Sequence, residues 1–423
     1  MVVEAHFENS IVNYFVDELG YTREDSCVFN GDSMLIPRVV EQFIYSSHED
    51  ICNKIIRKDY KGDRREFFIE LIKELSDYVY SSFNVAVQLN RWEFKFKGHN
   101  FKLFFPVSHD RKVQRNIFSV MQQPSFNLRT VDGVYRVIPD VGVFVNGFLF
   151  SYIQLKLQHR GQTAERQGRG QIIGDYIEAV QRCVTSVIDN NEEFYSITEE
   201  KTKLVNNALK YFHAPVNMVA MDVSSAYVIR GLSKSYSDVE KFCFTKNAND
   251  AVIKEDLKKT FLLDSLYKKE DYLPVDEKSR KFLTNLYSKT SIQHEILYFN
   301  FIAYEKKSEF VKGKKEVVNK NNAASLNFPR PNQKYGVEKA IREIVRKYQN
   351  ESNPNYEIER LVKKLDSLHV PDNVRRQVID KRMSYNNNKN QFSLLLQYAA
   401  GFGKTYILCW LALMLKELEN FNT

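Results

Sequence analysis

Three residues in the middle of the chain have the chemistry of metal-assisted phosphodiester cleavage. Asp140 follows Pro139, and a Gln-Leu-Lys sequence carries Gln154 and Lys156, so that Gln154 stands 14 positions after Asp140. Cleavage that depends on Mg²⁺ needs oxygen ligands for the cation and a positive charge near the attacking water or the scissile phosphate. Asp140 and Gln154 offer the oxygens, and Lys156 offers the charge. Because this pattern also arises readily by chance, taken alone it favours an ordinary structural hairpin.

The elements that carry these residues form the strongest β-hairpin signal in the chain. Two apolar strands flank the pair Asn146-Gly147, which is typical of a tight turn. Because side chains alternate between the two faces of a strand, a strict two-residue turn would place Gln154 and Lys156 on the face opposite Asp140. One extra residue shifts the register and brings all three to one face. We therefore predict a bulge or a three-residue loop there, with Gly147 in the left-handed conformation.

A helix with one apolar stripe is predicted at residues 5–19, followed by Gly20 where a C-terminal capping glycine is expected. Glu8 lies on the same row of this helix as Val12 and Phe15. We expect its carboxylate to face inward and to need a cation, a metal or a hydrogen-bond donor. The alternative is a Glu at the edge of the stripe that reaches outward to water.

A phosphate-binding loop is predicted near residue 400. An apolar strand at 393–397 is followed by a glycine-containing turn and a helical pattern at 406–418, which is the context of a P-loop. In such loops backbone N–H groups bind phosphate oxygens, while Lys404 would reach the β and γ oxygens and Thr405 would bind Mg²⁺. The predicted nucleotide-binding residues of the loop are Gly401, Gly403, Lys404 and Thr405.

Only 18 residues follow Thr405, and they contain no Walker B acidic motif. They are too few for the rest of a RecA-like lobe or for a second lobe. We therefore expect this chain by itself to lack coupled ATPase activity. The sequence is interpreted as the N-terminal portion of a longer translocating nuclease, or as a natural truncation.

Composition favours a folded protein with a polyanionic partner. The chain has 423 residues, 43% apolar residues and a net charge of +8, which weakly favours nucleic acid. The five cysteines are scattered without a CxxC pair, and neither HExxH nor GxSxG occurs, which argues against disulfide frameworks, zinc ribbons, zinc proteases and serine hydrolases. With no export signal and no apolar run of membrane length, we expect a cytoplasmic location.

The order of helical and strand patterns predicts an α/β or α+β domain over residues 1–305. Residues 306–325 are rich in Lys and weakly periodic, so they are predicted to form a basic linker. Residues 326–423 would begin a second domain.

Four segments of the sequence resemble, in order, the restriction (R) subunit of type I restriction-modification enzymes. They are EAHFENSIVNYFVDELGY, NIFSVMQQ, IPDVGVFVNGFLFSYIQLK and SIQHEILYFNFIAYEK. The resemblance implies a PD-(D/E)xK nuclease core, with a mixed central sheet flanked by helices, and then the start of a RecA-like superfamily 2 translocase domain. It also implies a type I site-specific deoxyribonuclease that cleaves double-stranded DNA and uses Mg²⁺ and, in the complete protein, ATP. Its partners would be the methyltransferase (M) and specificity (S) subunits.

The resemblance gives the residues of the hairpin their roles. Asp140 and the carbonyl oxygen of Gln154 would bind Mg²⁺, Lys156 would position water or stabilise charge, and Glu8 would lie beside the metal. The family usually has Glu at the position of Gln154, and a neutral amide binds Mg²⁺ more weakly than a carboxylate. We favour an active nuclease, because related nuclease folds with Gln there remain active. The alternatives are a catalytically inactive DNA-binding or assembly module and a stand-alone defence helicase-nuclease.

Two further assignments come from the resemblance. The family has a Gln-x-x-x-Tyr motif on the helix after the hairpin, which Gln171 matches, and Tyr176 would be its Tyr although it stands one residue late. Asp175 occupies the expected Tyr position. Before the P-loop, Gln333 matches a Gln that reads adenine.

Overall fold

The computed structural model describes the greater part of the chain and divides it into two compact units, residues 1–328 and 329–423, which are treated separately below. The described residues are 4–80, 85–90, 94–106, 115–130, 133–156, 163–168, 170–172, 174–175, 178–179, 182, 211–212, 214–222, 226–230, 263–267, 278–299, 301–304, 307–311, 314–318, 324–327, 331–350, 361–363, 365–366, 370–386 and 404–420.

The first unit is a mixed α/β structure with a mixed central sheet flanked by helices. Its described helices are α1 (Glu4–Asp17), α2 (Pro37–Ser47), α3 (Glu49–Asp59), α4 (Arg64–Val79), α5 (Val85–Asn90), α6 (Lys278–Tyr287) and α7 (Lys289–Leu297). This agrees with the α/β class predicted from the sequence. Within the described ranges, no helix is both long enough and apolar enough to span a bilayer.

The central sheet has seven described strands. They are β1 (Thr22–Glu24), β4 (Phe118–Gln122), β7 (Val141–Val145), β8 (Phe148–Leu155), β9 (Asn217–Met221), β10 (Ala226–Arg230) and β11 (Leu263–Tyr267), and they lie in this order across the sheet. The pairs β1 with β4 and β8 with β9 are parallel, and the other pairs are antiparallel. Every residue of β7, β8 and β9 is buried, as expected for central strands covered on both faces.

Four smaller strand pairs accompany this sheet. They are β2 (Phe94–Phe96) with β3 (His99–Phe101), β5 (Phe126–Thr130) with β6 (Gly133–Val137), β12 (Phe301–Tyr304) with β15 (Ala324–Asn327), and β13 (Lys307–Val311) with β14 (Lys314–Val318). The last pair lies within the segment predicted to be a basic linker. Its sequences KSEFV and KKEVV form a hairpin despite the surrounding lysines, because an antiparallel pair needs only short alternating segments.

Helix α1 confirms the helix predicted near the N-terminus. Its stripe of Phe7, Ile11, Val12 and Phe15 is buried, and Phe15 packs its ring against Tyr287 at a centroid distance of 5.2 Å. The chain then turns at Gly20, whose φ of 69° lies in the left-handed region that favours glycine.

The β7–β8 turn is fixed by packing as well as by its own sequence. Asn146 and Gly147 have φ values of 55° and 84°, as a type I′ turn requires. A Cβ at Gly147 would lie 2.6 Å from Val40 Cγ2, so this position also needs glycine for close approach to α2. The Asn146 side chain is fully buried, where it accepts a hydrogen bond from Ile117 N and donates one to Leu103 O.

The second unit contains α8 (Pro331–Asn350), α9 (Asp372–Asn386) and α10 (Lys404–Asn420). Val337 and Ala340 of α8 are buried, as are Ile407 and Trp410 of α10, and the two helices pack together. The predicted strand at 393–397 and the loop glycines Gly401 and Gly403 lie outside the described residues. The helix predicted after the loop is present and begins at Lys404.

Candidate active site

A bulge in β8 sets the register of the β7–β8 hairpin. Val145 pairs with Phe148 across a strict two-residue turn, yet Phe144 pairs with Leu149 and Val143 with Ser151. Phe150 is therefore the extra residue, and its carbonyl accepts a hydrogen bond from Val216 N at 2.8 Å. The predicted one-residue shift is confirmed, but its predicted place at Gly147 is wrong. The Asn-Gly pair forms the two-residue turn by itself. The extra residue therefore lies within β8, where the Phe150 carbonyl is hydrogen-bonded to Val216 N.

The shift places Asp140 opposite Gln154. Gln154 Nε2 donates to Asp140 Oδ2 at 2.7 Å, and Leu155 N donates to the same oxygen at 2.6 Å. A carboxylate only accepts hydrogen bonds, so the amide must present its nitrogen to Asp140. The two residues predicted to share a face are therefore in direct contact.

Lys156 directly follows β8 and lies two residues after Gln154, on the same face. Its side chain is buried, with only 8% of the residue exposed, and its backbone N–H donates to Met221 O at 2.9 Å, which extends the pairing with β9. Gly168 packs beside it, since a Cβ on Gly168 would lie 3.3 Å from Lys156 Cγ and 3.0 Å from Ala220 Cβ. The lysine stem is thus enclosed between the sheet and the π-helical turn Ala164–Gly168.

Asp222 fixes this π-helical turn against the end of β9. The residue is 1% exposed, and its Oδ2 accepts a hydrogen bond from Ala164 N at 2.8 Å. The sequence prediction missed Asp222. A buried strand followed directly by Asp was the signal that could have found it.

Glu8 faces inward, as predicted, and two amides satisfy its carboxylate. The residue is 4% exposed, and its Oε1 and Oε2 accept hydrogen bonds from Gln122 Nε2 and Gln123 Nε2, each at 3.1 Å. The Gln123 backbone N–H also donates to Asp140 O at 2.9 Å. Gln123 therefore connects Glu8 with Asp140. Neither glutamine was predicted as a site residue, although the pair at the end of β4 was a visible signal.

The helix motif predicted after the hairpin is described only in part. Gln171 is exposed, and Tyr176 lies outside the described residues. Asp175 is instead partly buried, and Tyr135 Oη donates to its Oδ1 at 3.1 Å. Burial raises the pKa of Asp175 to about 6, while the Tyr135 hydrogen bond lowers it, the Glu178 charge raises it and the Lys156 charge lowers it.

The site offers few groups that could hold a metal ion. In the part of the chain that the structure describes, no three His, Cys, Asp or Glu side chains converge on one point. Asp140 and the Gln154 amide oxygen suit Mg²⁺ by donor chemistry, because this cation prefers oxygen ligands. The residues present therefore suit a Mg²⁺ site with one carboxylate and one amide oxygen beside a buried lysine. The Gln154 amide would have to rotate to present its oxygen to the cation.

The residues predicted to bind nucleotide are described only in part. Lys404 and Thr405 are exposed and form the first two residues of α10, where N–H groups at a helix start attract anions. Gln333 is the third residue of α8 and is buried, with 5% of the residue exposed.

Comparison with known proteins gave no relative that bears on these residues. A scan against protein-family models found no match, and a search of the curated proteins found none.

Proposed function

We propose that residues 1–305 form a PD-(D/E)xK-type nuclease domain that cleaves double-stranded DNA with Mg²⁺. The observation that carries this proposal is the β8 bulge, which brings Asp140, Gln154 and Lys156 to one face. An unbulged two-residue hairpin would have separated them. The sequence resemblance to type I restriction R subunits supports the same proposal.

In this proposal each residue has a distinct role. Asp140 and the Gln154 carbonyl oxygen would hold Mg²⁺, which would supply positive charge to stabilise negative charge on the phosphate and to activate water. Lys156 contributes a cation on a buried stem, where its charge is less screened than in water. The amides of Gln122 and Gln123 keep Glu8 oriented beside the site, and Gln123 links Glu8 to Asp140.

The second unit would begin a RecA-like translocase domain. Lys404 and Thr405, with Gly401 and Gly403, would bind the phosphates and Mg²⁺ of ATP, and Gln333 would contact adenine. In a complete protein this motor would deliver DNA to the nuclease, within a complex that includes methyltransferase and specificity subunits. The position of Lys404 and Thr405 at the start of α10 supports this part of the proposal.

One observation favours a second candidate, a catalytically inactive DNA-binding or assembly module. Gln154 stands where the resembled family usually has Glu, and its Nε2 donates a hydrogen bond to Asp140 Oδ2, a contact that needs no metal ion. Such a module would keep the fold and lose the chemistry.

Cleavage of supercoiled plasmid with Mg²⁺ or Mn²⁺ tests the proposal. We expect nicking by the parent chain and none by Asp140→Ala or Lys156→Ala, while Arg65→Ala, an exposed cation on α4, serves as the matched control and retains activity. If the parent chain does not cleave the plasmid and Gln154→Glu does, the site has a weakened metal ligand. If neither protein cleaves the plasmid in the presence of added methyltransferase and specificity subunits, the nuclease proposal fails and the inactive module is favoured.

A further inference from the structure

The β5–β6 hairpin presents one face to solvent directly before Asp140. Arg129 pairs with Val134 across the two strands, and directly opposed residues of an antiparallel pair point to the same face. Arg136 lies two residues after Val134 and shares that face, and Ile138 directly follows the strand in the same alternation. Val134 and Ile138 are 61% and 46% exposed, and both arginines are exposed as well. We call the surface formed by Arg129, Val134, Arg136 and Ile138 the outer face of the hairpin.

The opposite face of the hairpin is anchored to the protein. Phe126 packs its ring against Phe29 and Tyr211, with centroid distances of 4.8 Å and 4.5 Å. Tyr135 Oη donates a hydrogen bond to Asp175 Oδ1 at 3.1 Å. Because these contacts hold one face of the hairpin, its outer face points to solvent in a fixed direction.

Both ends of the hairpin meet the candidate site. Gln123, three residues before β5, donates its backbone N–H to Asp140 O at 2.9 Å. At the other end, Arg136 stands four residues before Asp140. Four residues span at most about 14 Å, which is the axial length of about four base pairs of duplex DNA. A duplex whose scissile phosphate lies at Asp140 would therefore pass within reach of Arg136.

The charge of the hairpin suits a nucleic-acid duplex. Strands β5 and β6 contain two arginines and no acidic residue. Arg129 lies 3.9 Å from Asp32 Oδ2, and the two side chains stay 65% and 52% exposed, so this pair does not cover the arginine. Within the described ranges, Arg136 makes no ion pair. A guanidinium group binds phosphate oxygens, and a two-stranded ribbon fits the major groove, where aliphatic side chains can contact thymine methyl groups.

We propose that the outer face of the β5–β6 hairpin binds the DNA duplex beside the candidate site. Arg136 contacts a backbone phosphate within about four base pairs of the scissile one, and Arg129 contacts the duplex further along the ribbon. This inference rests on the proposed function, because that function supplies DNA as the partner.

Binding of a short fluorescein-labelled duplex to the full chain tests the inference without cleavage. Fluorescence anisotropy in EDTA gives the binding constant at several salt concentrations. Loss of one phosphate contact should reduce the slope of log K against log salt by about 0.9. If the affinities are equal at about 1 M salt, this slope means that Arg136→Ala binds about 15-fold more weakly at about 50 mM salt and about fourfold more weakly at about 200 mM.

Two variants serve as controls. Arg136→Lys keeps the positive charge, so it should keep the salt slope of the parent and most of its affinity. Arg65→Ala removes an exposed cation from α4 and should leave both quantities unchanged. Because Arg136 is exposed, Arg136→Ala should unfold at the same urea concentration as the parent, which separates a lost contact from a lost fold.

The outcomes distinguish the inference from the proposed function. If Arg136→Ala has the affinity and the salt slope of the parent, the inference is refuted, while plasmid cleavage still decides the nuclease function. If Arg136→Lys binds as weakly as Arg136→Ala, the residue does not act through its charge and the inference is again refuted. If Arg136→Ala reduces the slope in a chain that cleaves no plasmid, the inference holds and the nuclease function fails. A parent chain that binds no duplex would overturn the inference.

Discussion

The contact between Asp140 and Gln154 predicts how a carboxylate at position 154 behaves without metal. In Gln154→Glu the donor that now lies 2.7 Å from Asp140 Oδ2 becomes a second carboxylate. With an effective dielectric constant of about 20 and charge centres about 4 Å apart, the two charges repel by about 4 kcal/mol. The two carboxylates of the variant avoid this repulsion only if they share a bound proton.

The cost of that proton depends on pH and sets the size of the effect. For a Glu with an ordinary pKa near 4.3, protonation costs about 5 kcal/mol at about pH 8 and about 1.6 kcal/mol at about pH 5.5. At each pH the variant adopts the cheaper state, either two repelling carboxylates or a pair that shares a bound proton. Gln154→Glu should therefore lower the free energy of unfolding by about 4 kcal/mol at the higher pH, where repulsion costs less, and by about 1.6 kcal/mol at the lower pH, where protonation costs less. A protonated carboxyl also restores the hydrogen bond to Asp140, which reduces the loss further at low pH.

Urea unfolding in EDTA at the two pH values measures this prediction. Gln171→Glu is the matched control, because it makes the same change at an exposed position and should show little pH-dependent loss. Added Mg²⁺ should recover stability in Gln154→Glu more than in the parent, since a dication between the two carboxylates replaces the proton. A variant as stable as the parent at the higher pH, or a loss independent of pH, would refute the geometry of the pair.

Two further predictions concern single residues. Burial raises the pKa of Asp175 from 3.8 to about 6, so the folded state binds its proton more tightly than the unfolded state, and the resulting stability is lost as pH rises through 6. In urea unfolding with EDTA at about pH 8, Asp175→Asn should therefore have a free energy of unfolding about 1–2 kcal/mol above that of the parent, after allowance for partial exposure. No gain is expected at about pH 4. A lower free energy of unfolding at the higher pH would contradict this prediction. Asn146→Ala leaves Ile117 N and Leu103 O without their buried side-chain partner and places an Ala at a φ of 55°. It should therefore lower the free energy of unfolding by about 3–5 kcal/mol. A loss under about 1 kcal/mol would contradict the buried hydrogen-bond network.

Local patterns in the sequence were sufficient to predict the helix and the hairpin that hold the candidate site. The apolar stripe with Gly20 predicted α1, and Asn146-Gly147 predicted the hairpin. Strand alternation also predicted that one extra residue must exist if Asp140 is to meet Gln154. These inferences depend on periodicity and turn chemistry, which act over a few residues and are therefore readable from the chain.

Tertiary structure decided what the sequence left open at the site. The bulge lies at Phe150 because its carbonyl can pair with Val216 N, a partner from a distant part of the chain. Asp175 is partly buried and accepts a hydrogen bond from Tyr135 of β6, which lies 40 residues earlier in the chain. The sequence by itself determined the types of residue and the faces on which they could lie. Which of them meet was decided by long-range pairing, since a one-residue change of register moves every side chain to the other face of a strand.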